Sequence, residues 1–227
     1  MKIAVLVNTC DKFDDCWDPF FILWNKFGLS TDISSIYLNT ERKIYTTNLC
    51  NVISLAVCDK YKWTEPHPPT WSWCLDKALE SISEEFVLYM QEDYFLDYKI
   101  QENRVVEFVE LMSKDDTIDC IHLTCCGIFK KTQSKKYHQL SKALTKDKYY
   151  VSCQAALWRK SALKDLIRED ESAWQFERWA TKRAALLKKD FYVANPIDNI
   201  FPISYVFTGI IQGKWFRPTV ELFEKNN

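Results

Sequence analysis

The sequence predicts an α/β fold in which a mainly parallel sheet is flanked by helices. Near the start, Ile3–Val7 is a continuous apolar run, as expected for a strand buried on both faces. Apolar residues from Trp17 to Trp24 fall at i, i+3, i+4 and i+7, which is the spacing of one helix face. Strand and helix patterns alternate four times in the first 125 residues. This alternation is typical of a doubly wound α/β layer.

The remaining elements follow the same two patterns along the chain. The predicted strands are Ile3–Val7, Ser35–Asn39, Val52–Val57, Phe86–Met90, Ile118–Thr124 and the extended stretch Tyr149–Trp158. The predicted helices contain Trp17–Trp24, Leu75–Ile82, Val105–Met112, Ala162–Ile167 and Trp174–Lys188. Thr70 or Ser72 is expected to cap the second helix.

Composition indicates one globular domain. The chain has 227 residues, of which 47% are apolar, enough for a large core. We expect one domain with a nucleotide-binding half over about 1–125 and an acceptor-binding half, partly helical, over about 126–227. The net charge is −1, so no general basic excess favours nucleic acid as a partner.

Glycine, histidine and cysteine usage excludes several kinds of site. Only four scattered glycines occur, too few for a glycine-rich phosphate loop. The three histidines lie far apart in the sequence, which argues against a multi-histidine zinc centre. The nine cysteines form no Cys-x-x-Cys pair, so reduced thiols and a cytoplasmic location are expected, with peripheral contact to a membrane left open.

No targeting or membrane segment is expected at the start of the chain. The apolar run Ile3–Val7 has only five residues before polar ones follow, which is too short for a signal peptide or a membrane span.

The acidic triplet Gln91-Glu92-Asp93 directly follows the Phe86–Met90 strand. Sheets of this class carry ligands at the carboxyl ends of their strands. Mg²⁺ and Mn²⁺ are commonly held there by one or two carboxylates together with substrate phosphates. A solvated acidic loop or a cap at a helix N-terminus is an equally open interpretation of the triplet.

Two later segments are also candidates for chemistry. In Trp174–Trp179, Glu177 lies among aromatic residues, which suits a general base beside a sugar ring. The alternative is an amphipathic helix with Trp174 in the core and Glu177 paired to Arg178 or Lys182. In Gln212–Trp215, Gly213 permits close backbone approach and Lys214 is suited to a phosphate, although such a lysine is usually only solvated.

Other polar groups carry weaker signals. Asn8–Asp11 follows the first strand and Asn39 ends the second, where they could hold a base and ribose or serve only as turns. His122 is expected to be a satisfied interior histidine. The adjacent Cys125 and Cys126 lack a nearby histidine and make a poor nucleophile.

The segment Lys130–Lys148 contains seven lysines and Asp147 as its one acid. We expect it to be a mobile surface segment with solvated charges. An anionic acceptor, a membrane surface and nucleic acid are the alternative partners for it.

Taken together, these segments resemble small GT-A type glycosyltransferases of bacterial polysaccharide loci and large DNA viruses. The similar parts are Ile3–Asp11, Phe86–Phe95, Tyr149–Leu163, Trp174–Glu177 and Gly213–Trp215. One departure concerns the family's Asp-x-Asp metal motif, which reads Gln91-Glu92-Asp93 here.

The resemblance implies a metal-assisted transfer of a sugar from a nucleotide sugar, expected to be a UDP-sugar, to a glycan hydroxyl with inversion. It implies that Asp93 binds Mn²⁺ or Mg²⁺ and that Glu177 is the general base that takes the proton of the acceptor hydroxyl. The nucleotide-sugar contacts it implies are Thr9, Asp11, Asn39, Trp71, Gln91, Glu92 and Lys214, and the acceptor contacts are Trp174 and Arg178. A sugar nucleotidyltransferase and a non-catalytic carbohydrate-binding domain of the same fold are the alternatives.

Overall fold

A computed structural model describes residues 2–124, 127–206 and 208–226 of the chain. The strands are β1 Ile3–Asn8, β2 Ser34–Asn39, β3 Val52–Ser54, β4 Phe86–Gln91, β5 Cys120–His122, β6 Lys131–Gln133, β7 Leu140–Ala143, β8 Ala156–Arg159, β9 Phe191–Ala194, β10 Ile210–Ile211 and β11 Lys214–Trp215. The helices are α1 Trp17–Phe27, α2 Val57–Lys60, α3 Trp71–Ser81, α4 Glu102–Lys114, α5 Lys160–Leu166, α6 Ala173–Leu186 and α7 Arg217–Asn226, and a 3₁₀ helix spans Asp11–Cys16.

Nine of these strands form one mixed sheet within the described residues, in the order β3-β2-β1-β4-β8-β5-β9-β7-β6. Strands β3, β2, β1 and β4 are parallel to one another, and β5 is parallel to β9. Strands β7 and β8 run opposite to the rest. The expected α/β class with a mostly parallel sheet is therefore confirmed.

The core lies on both faces of this sheet. Alternate residues of β1 point to opposite sides: Ile3 and Val5 pack into one apolar cluster, while Ala4 and Leu6 pack into the other. Helices α1 and α4 cover the first face, and α3, α5 and α6 cover the second. The continuous apolar run of β1 is thus explained by burial on both sides.

Helix starts follow local capping rules. Thr70, one of the two expected caps, precedes α3, and its Oγ1 accepts a hydrogen bond from Trp73 N at 3.2 Å. Ser172 and Gln175 form a reciprocal capping box at the start of α6. Among the described residues, no helix has the length and apolar character that a membrane crossing requires.

Several predicted boundaries were wrong. The strand expected over Val52–Val57 ends at Ser54, because Ala56 adopts a left-handed φ of 43° and α2 begins at Val57. In Ile118–Thr124 only Cys120–His122 pairs as strand, and in Tyr149–Trp158 regular pairing starts only at Ala156.

The lysine-rich segment contains two short strands that the sequence did not predict. Its β6 and β7 form an antiparallel pair at the edge of the main sheet, and Leu140 and Ala143 are buried. Asp147 is buried as well and accepts hydrogen bonds from the backbone of Phe129 and Lys130. Two of the seven lysines, Lys131 and Lys142, lie on these edge strands, and the others lie in the turns and loops around them.

His122 is buried as expected but is not satisfied. Neither ring nitrogen has a hydrogen-bond partner in the described part of the chain, and the ring packs edge-on against Trp158 and Phe191. Burial lowers its pKa to about 4. The seven described cysteines are free thiols, and Cys125 and Cys126 lie outside the described residues.

Candidate active site

A cavity of about 400 Å³ opens where β1 and β4 end. These strands are parallel neighbours in register, with Asn8 opposite Gln91, so the polar groups that follow them meet at one edge of the sheet. The starts of α3 and α6 and the loop that precedes β8 close the cavity on the other side. Six of the sequence-predicted site residues line it, namely Thr9, Trp71, Gln91, Glu92, Trp174 and Glu177.

Glu92 gives the sheet side of the cavity its acidic character. The carboxylate has a hydrogen bond from the Glu92 backbone, and no side chain of the described residues pairs with it. Burial, and after it the negative charge of Asp93, raises the pKa of Glu92 to about 8. A cation beside this side chain would relieve both effects, so the carboxylate is suited to a positively charged ligand.

Asp93 is not among the residues that line the cavity, but its partner Thr208 is. Its Oδ2 accepts hydrogen bonds from Thr208 Oγ1 at 2.6 Å and from the Gly209 amide at 3.2 Å. Gly209 is required here, because a Cβ at this position would lie 2.2 Å from the Phe95 ring. The acidic triplet is therefore joined to the segment that leads into β10.

The two acids are the groups available for a divalent cation. In residues 2–124, 127–206 and 208–226 no cluster of three or more His, Cys, Asp or Glu side chains is suited to a metal. Glu92 and Asp93 supply two hard carboxylate ligands, and substrate phosphates commonly complete such sites. The Glu92 carboxylate, which pairs with no described side chain, fits a divalent ion under these conditions.

Asp11 and Asn39 hold the loops behind the cavity. The Asp11 carboxylate accepts backbone hydrogen bonds from Glu41, Arg42 and Lys43 at 2.9–3.0 Å. Asn39 is fully buried, and its Nδ2 donates to Asn8 Oδ1 at 2.7 Å. Neither side chain lines the cavity, whereas Thr9, held by Trp17 Nε1 at 3.0 Å, does.

Glu177 lies on the wall opposite the acidic triplet. The Cys153 amide donates to its Oε1 at 2.8 Å, and no described group donates to its Oε2. Burial raises the pKa of this carboxyl group above its usual value. One oxygen is thus fixed by the backbone while the other is open to a proton from a ligand.

The segment lies on a helix that buries one face, with Phe176 and Ala180 in the core, but two contacts of the structural interpretation are wrong. Trp174 is 81% exposed and not part of the core, and Glu177 forms no ion pair with Arg178 or Lys182. Trp71 packs on the Phe176 ring, with centroids 5.2 Å apart. Arg178 lies outside the main cavity, on an adjoining one that shares Trp174 and Glu177.

Lys214 is exposed and does not line the cavity. It follows a tight turn between β10 and β11 in which Gln212 and Gly213 have φ of 52° and 75°, as a two-residue hairpin requires. A Cβ on Gly213 would meet nothing within 4 Å. This glycine therefore serves the turn, and no described residue packs closely against it.

Sequence reasoning missed a polar network that orders the loop before β8. Gln154 Nε2 donates to Tyr94 Oη at 3.0 Å, and Tyr205 Oη donates to Gln154 Oε1 at 2.7 Å. The rings of Tyr94 and Tyr205 stack with centroids 4.6 Å apart. Tyr94 directly follows the acidic triplet, which was the available signal, but its partners lie about sixty or more residues away in the sequence.

Comparison with known proteins gives matches in structure only, since no protein-family model and no curated protein matches the sequence. A structure of S. aureus TarS superposes with a TM-score of 0.58 at 15% identity, covering 88% of this chain and 36% of TarS. The mannosyltransferase PcManGT from Pyrobaculum calidifontis, in complex with GDP-Man and Mn²⁺, gives 0.52 at 11% identity, covering 93% of this chain and 58% of that one. The fold is GT-A-like.

A second TarS structure that matches this chain contains a bound nucleotide sugar. The 1–349 form of TarS in complex with UDP-GlcNAc matches with a TM-score of 0.56 at 15% identity, covering 88% of this chain and 57% of that one. The chain spans about a third of the full TarS chain and less than two thirds of PcManGT. At these identities the likeness establishes the fold alone.

Proposed function

We propose that the protein is a glycosyltransferase that moves a sugar from a nucleotide sugar to a hydroxyl of a glycan acceptor. The proposed donor is a UDP-sugar. The observation that carries this is the pairing of two carboxylates across one cavity. Glu92 lines the cavity at the sheet side without a side-chain partner, and Glu177 lines it from α6 with one oxygen fixed by a backbone amide. Solved structures with this fold hold UDP-GlcNAc or GDP-Man.

The donor is assigned to the sheet side. Thr9 and Gln91 lie at adjacent strand ends and offer a hydroxyl and an amide to the nucleotide, while Trp71 offers an aromatic face. Asp11 and Asn39 keep the surrounding loops in place through the contacts described above. Lys214, on its exposed hairpin, is assigned to the departing phosphates.

A divalent cation, Mn²⁺ or Mg²⁺, is assigned to the carboxylates of Asp93 and Glu92. When bound, it supplies positive charge that neutralises the leaving nucleoside diphosphate. The chain's own part is to present two carboxylates at the end of β4, where the diphosphate would lie. Mn²⁺ in the PcManGT complex is consistent with this assignment.

Glu177 is assigned as the general base. Its open Oε2 takes the proton of the acceptor hydroxyl while the hydroxyl oxygen forms a bond to the anomeric carbon. The bond from that carbon to the diphosphate breaks, and its electron pair leaves with the nucleoside diphosphate. This single displacement inverts the anomeric centre, and a positioned base typically contributes about 10²–10⁴-fold to the rate.

Calorimetric titration of the protein with UDP, in the presence and in the absence of Mn²⁺, tests the proposal. We expect UDP to bind, Mn²⁺ to strengthen the binding, and both Glu92→Gln and Asp93→Asn to remove that strengthening. Glu65→Gln, at an exposed glutamate outside the cavity, is the matched control. Binding of glycans without any affinity for nucleotides would overturn the proposal in favour of a carbohydrate-binding domain.

A further inference from the structure

A second cavity of about 560 Å³ adjoins the first. It lies between α6 and the segment that precedes β8, and it shares Trp174 and Glu177 with the first cavity. Glu177 therefore separates two spaces, and a group in either one can approach its carboxylate. The other lining residues are Lys148, Tyr149, Arg178, Thr181 and Lys182.

The second cavity is positively charged. Lys148, Arg178 and Lys182, here called the cationic wall, have no carboxylate partner among the described residues. By contrast, Lys142 and Lys189, nearby in the sequence, are paired with aspartates. Glu177 is the one acid that lines the cavity, and burial favours its neutral form.

Aromatic rings hold these cations beside a flat apolar surface. The Lys182 ammonium lies 4.3 Å from the Trp179 ring centroid, and the Arg178 guanidinium lies 5.1 Å from the same centroid. Trp174, Arg178 and Lys182 are spaced by four residues, so they form one row along the exposed face of α6. The row begins with the 81% exposed ring of Trp174 at the entrance shared by both cavities.

We propose that the acceptor is an anionic glycan, one that carries phosphate or carboxylate groups, and that it binds in this second cavity. The cationic wall holds its negative groups, Trp174 covers a sugar face, and the accepting hydroxyl reaches Glu177 from the side opposite the donor. This inference rests on the proposed function, because it takes Glu177 as the base and the first cavity as the donor site.

Titrations with matched oligosaccharides test the inference. The probes are tetragalacturonate, which is anionic, and maltotetraose, which is neutral and of equal length, each added to the protein with and without UDP. The test variant carries Lys148→Gln, Arg178→Gln and Lys182→Gln. The control variant loses the same charge at exposed sites outside the cavity and carries Lys62→Gln, Lys135→Gln and Lys225→Gln.

We expect the unmodified protein to bind tetragalacturonate more tightly than maltotetraose, and the preference to decrease with added salt. Each lost charge should weaken binding by roughly two- to fivefold, since these are solvent-exposed pairs. The test variant should lose the preference and keep its UDP affinity, which also shows that it folds. The control variant should retain both.

Other outcomes separate this inference from the proposed function. Equal affinity for the two oligosaccharides, or a preference that survives in the test variant, overturns the inference while UDP binding leaves the proposed function standing. Binding to phosphatidylserine vesicles but not to tetragalacturonate also overturns it and assigns the cationic wall to a membrane surface. If the unmodified protein does not bind UDP, that result contradicts the proposed function instead.

Discussion

Replacing Glu92 by glutamine should stabilise the ligand-free protein at alkaline pH. Burial and the neighbouring Asp93 raise the pKa of Glu92 from 4.5 to about 8 in the folded state. The folded protein thus holds this proton more tightly than the unfolded chain does. The resulting stabilisation is fully present below the unfolded pKa and is lost as pH rises through the folded pKa.

The size of the effect follows from the pKa shift. A rise from 4.5 to about 8 corresponds to at most about 5 kcal/mol of unfolding free energy. Glutamine has the shape of the neutral acid and cannot ionise. The free energy of unfolding of Glu92→Gln should therefore match that of the unmodified protein near pH ~4 and exceed it by up to about 5 kcal/mol near pH ~9.

Urea denaturation across this pH range, in buffer with a metal chelator, measures the difference. Glu65→Gln, which removes an exposed carboxylate away from the cavity, should follow the unmodified protein throughout. If the Glu92→Gln and unmodified curves run parallel at all pH values, the carboxylate is well solvated and the reasoning about the cavity is wrong.

Three further variants address other parts of the molecule. Under the proposed function, Glu177→Gln should lower kcat by about 10²–10⁴-fold with little change in UDP affinity, because glutamine keeps an oxygen for the backbone contact. Because burial raises the pKa of Glu177, the rate of the unmodified protein should decrease as pH falls through that raised value. Gly209→Ala places a methyl group against Phe95 and should cost about 1–3 kcal/mol, seen as a lower thermal midpoint; an unchanged midpoint contradicts the close packing. Arg183→Met removes the partner of the largely buried Glu171 and should cost about 3–5 kcal/mol in urea denaturation, of which adding Glu171→Gln restores a part.

Elements with a strong apolar pattern were predictable from the sequence. Residues Phe86–Met90 form an unbroken apolar run, and the strand found is Phe86–Gln91. Trp17–Trp24 repeats at helical spacing and lies within α1. In both cases the local pattern and the tertiary burial agree, so sequence spacing is sufficient.

The edge of the sheet was not predictable in the same way. All three residues of β6 are exposed, so no apolar alternation indicates a strand there. Six of the seven lysines of this segment are exposed, while Tyr137 and Leu140 pack inward. The many lysines hid the strand pattern in the sequence, whereas the burial of a few apolar side chains stabilises this part of the sheet.

The candidate site was predictable only in part. Thr9 and Glu92 follow parallel strands, and the rule that such strand ends share one edge brought them together correctly. The direction of each side chain was not available from spacing: Glu92 lines the cavity, while Asp93 turns toward Thr208. The contact between Cys153 and Glu177 depends on how the loop before β8 meets α6, for which the sequence has no local signal.

The position of β8 determines where the chain can be truncated without exposing the sheet. Although β8 comes late in the sequence, it lies between β4 and β5 in the middle of the sheet. A fragment that stopped at residue 125 would leave the apolar β4 with an open hydrogen-bonding edge, which is a template for aggregation. Soluble expression should therefore require translation to continue through Arg159, where β8 ends.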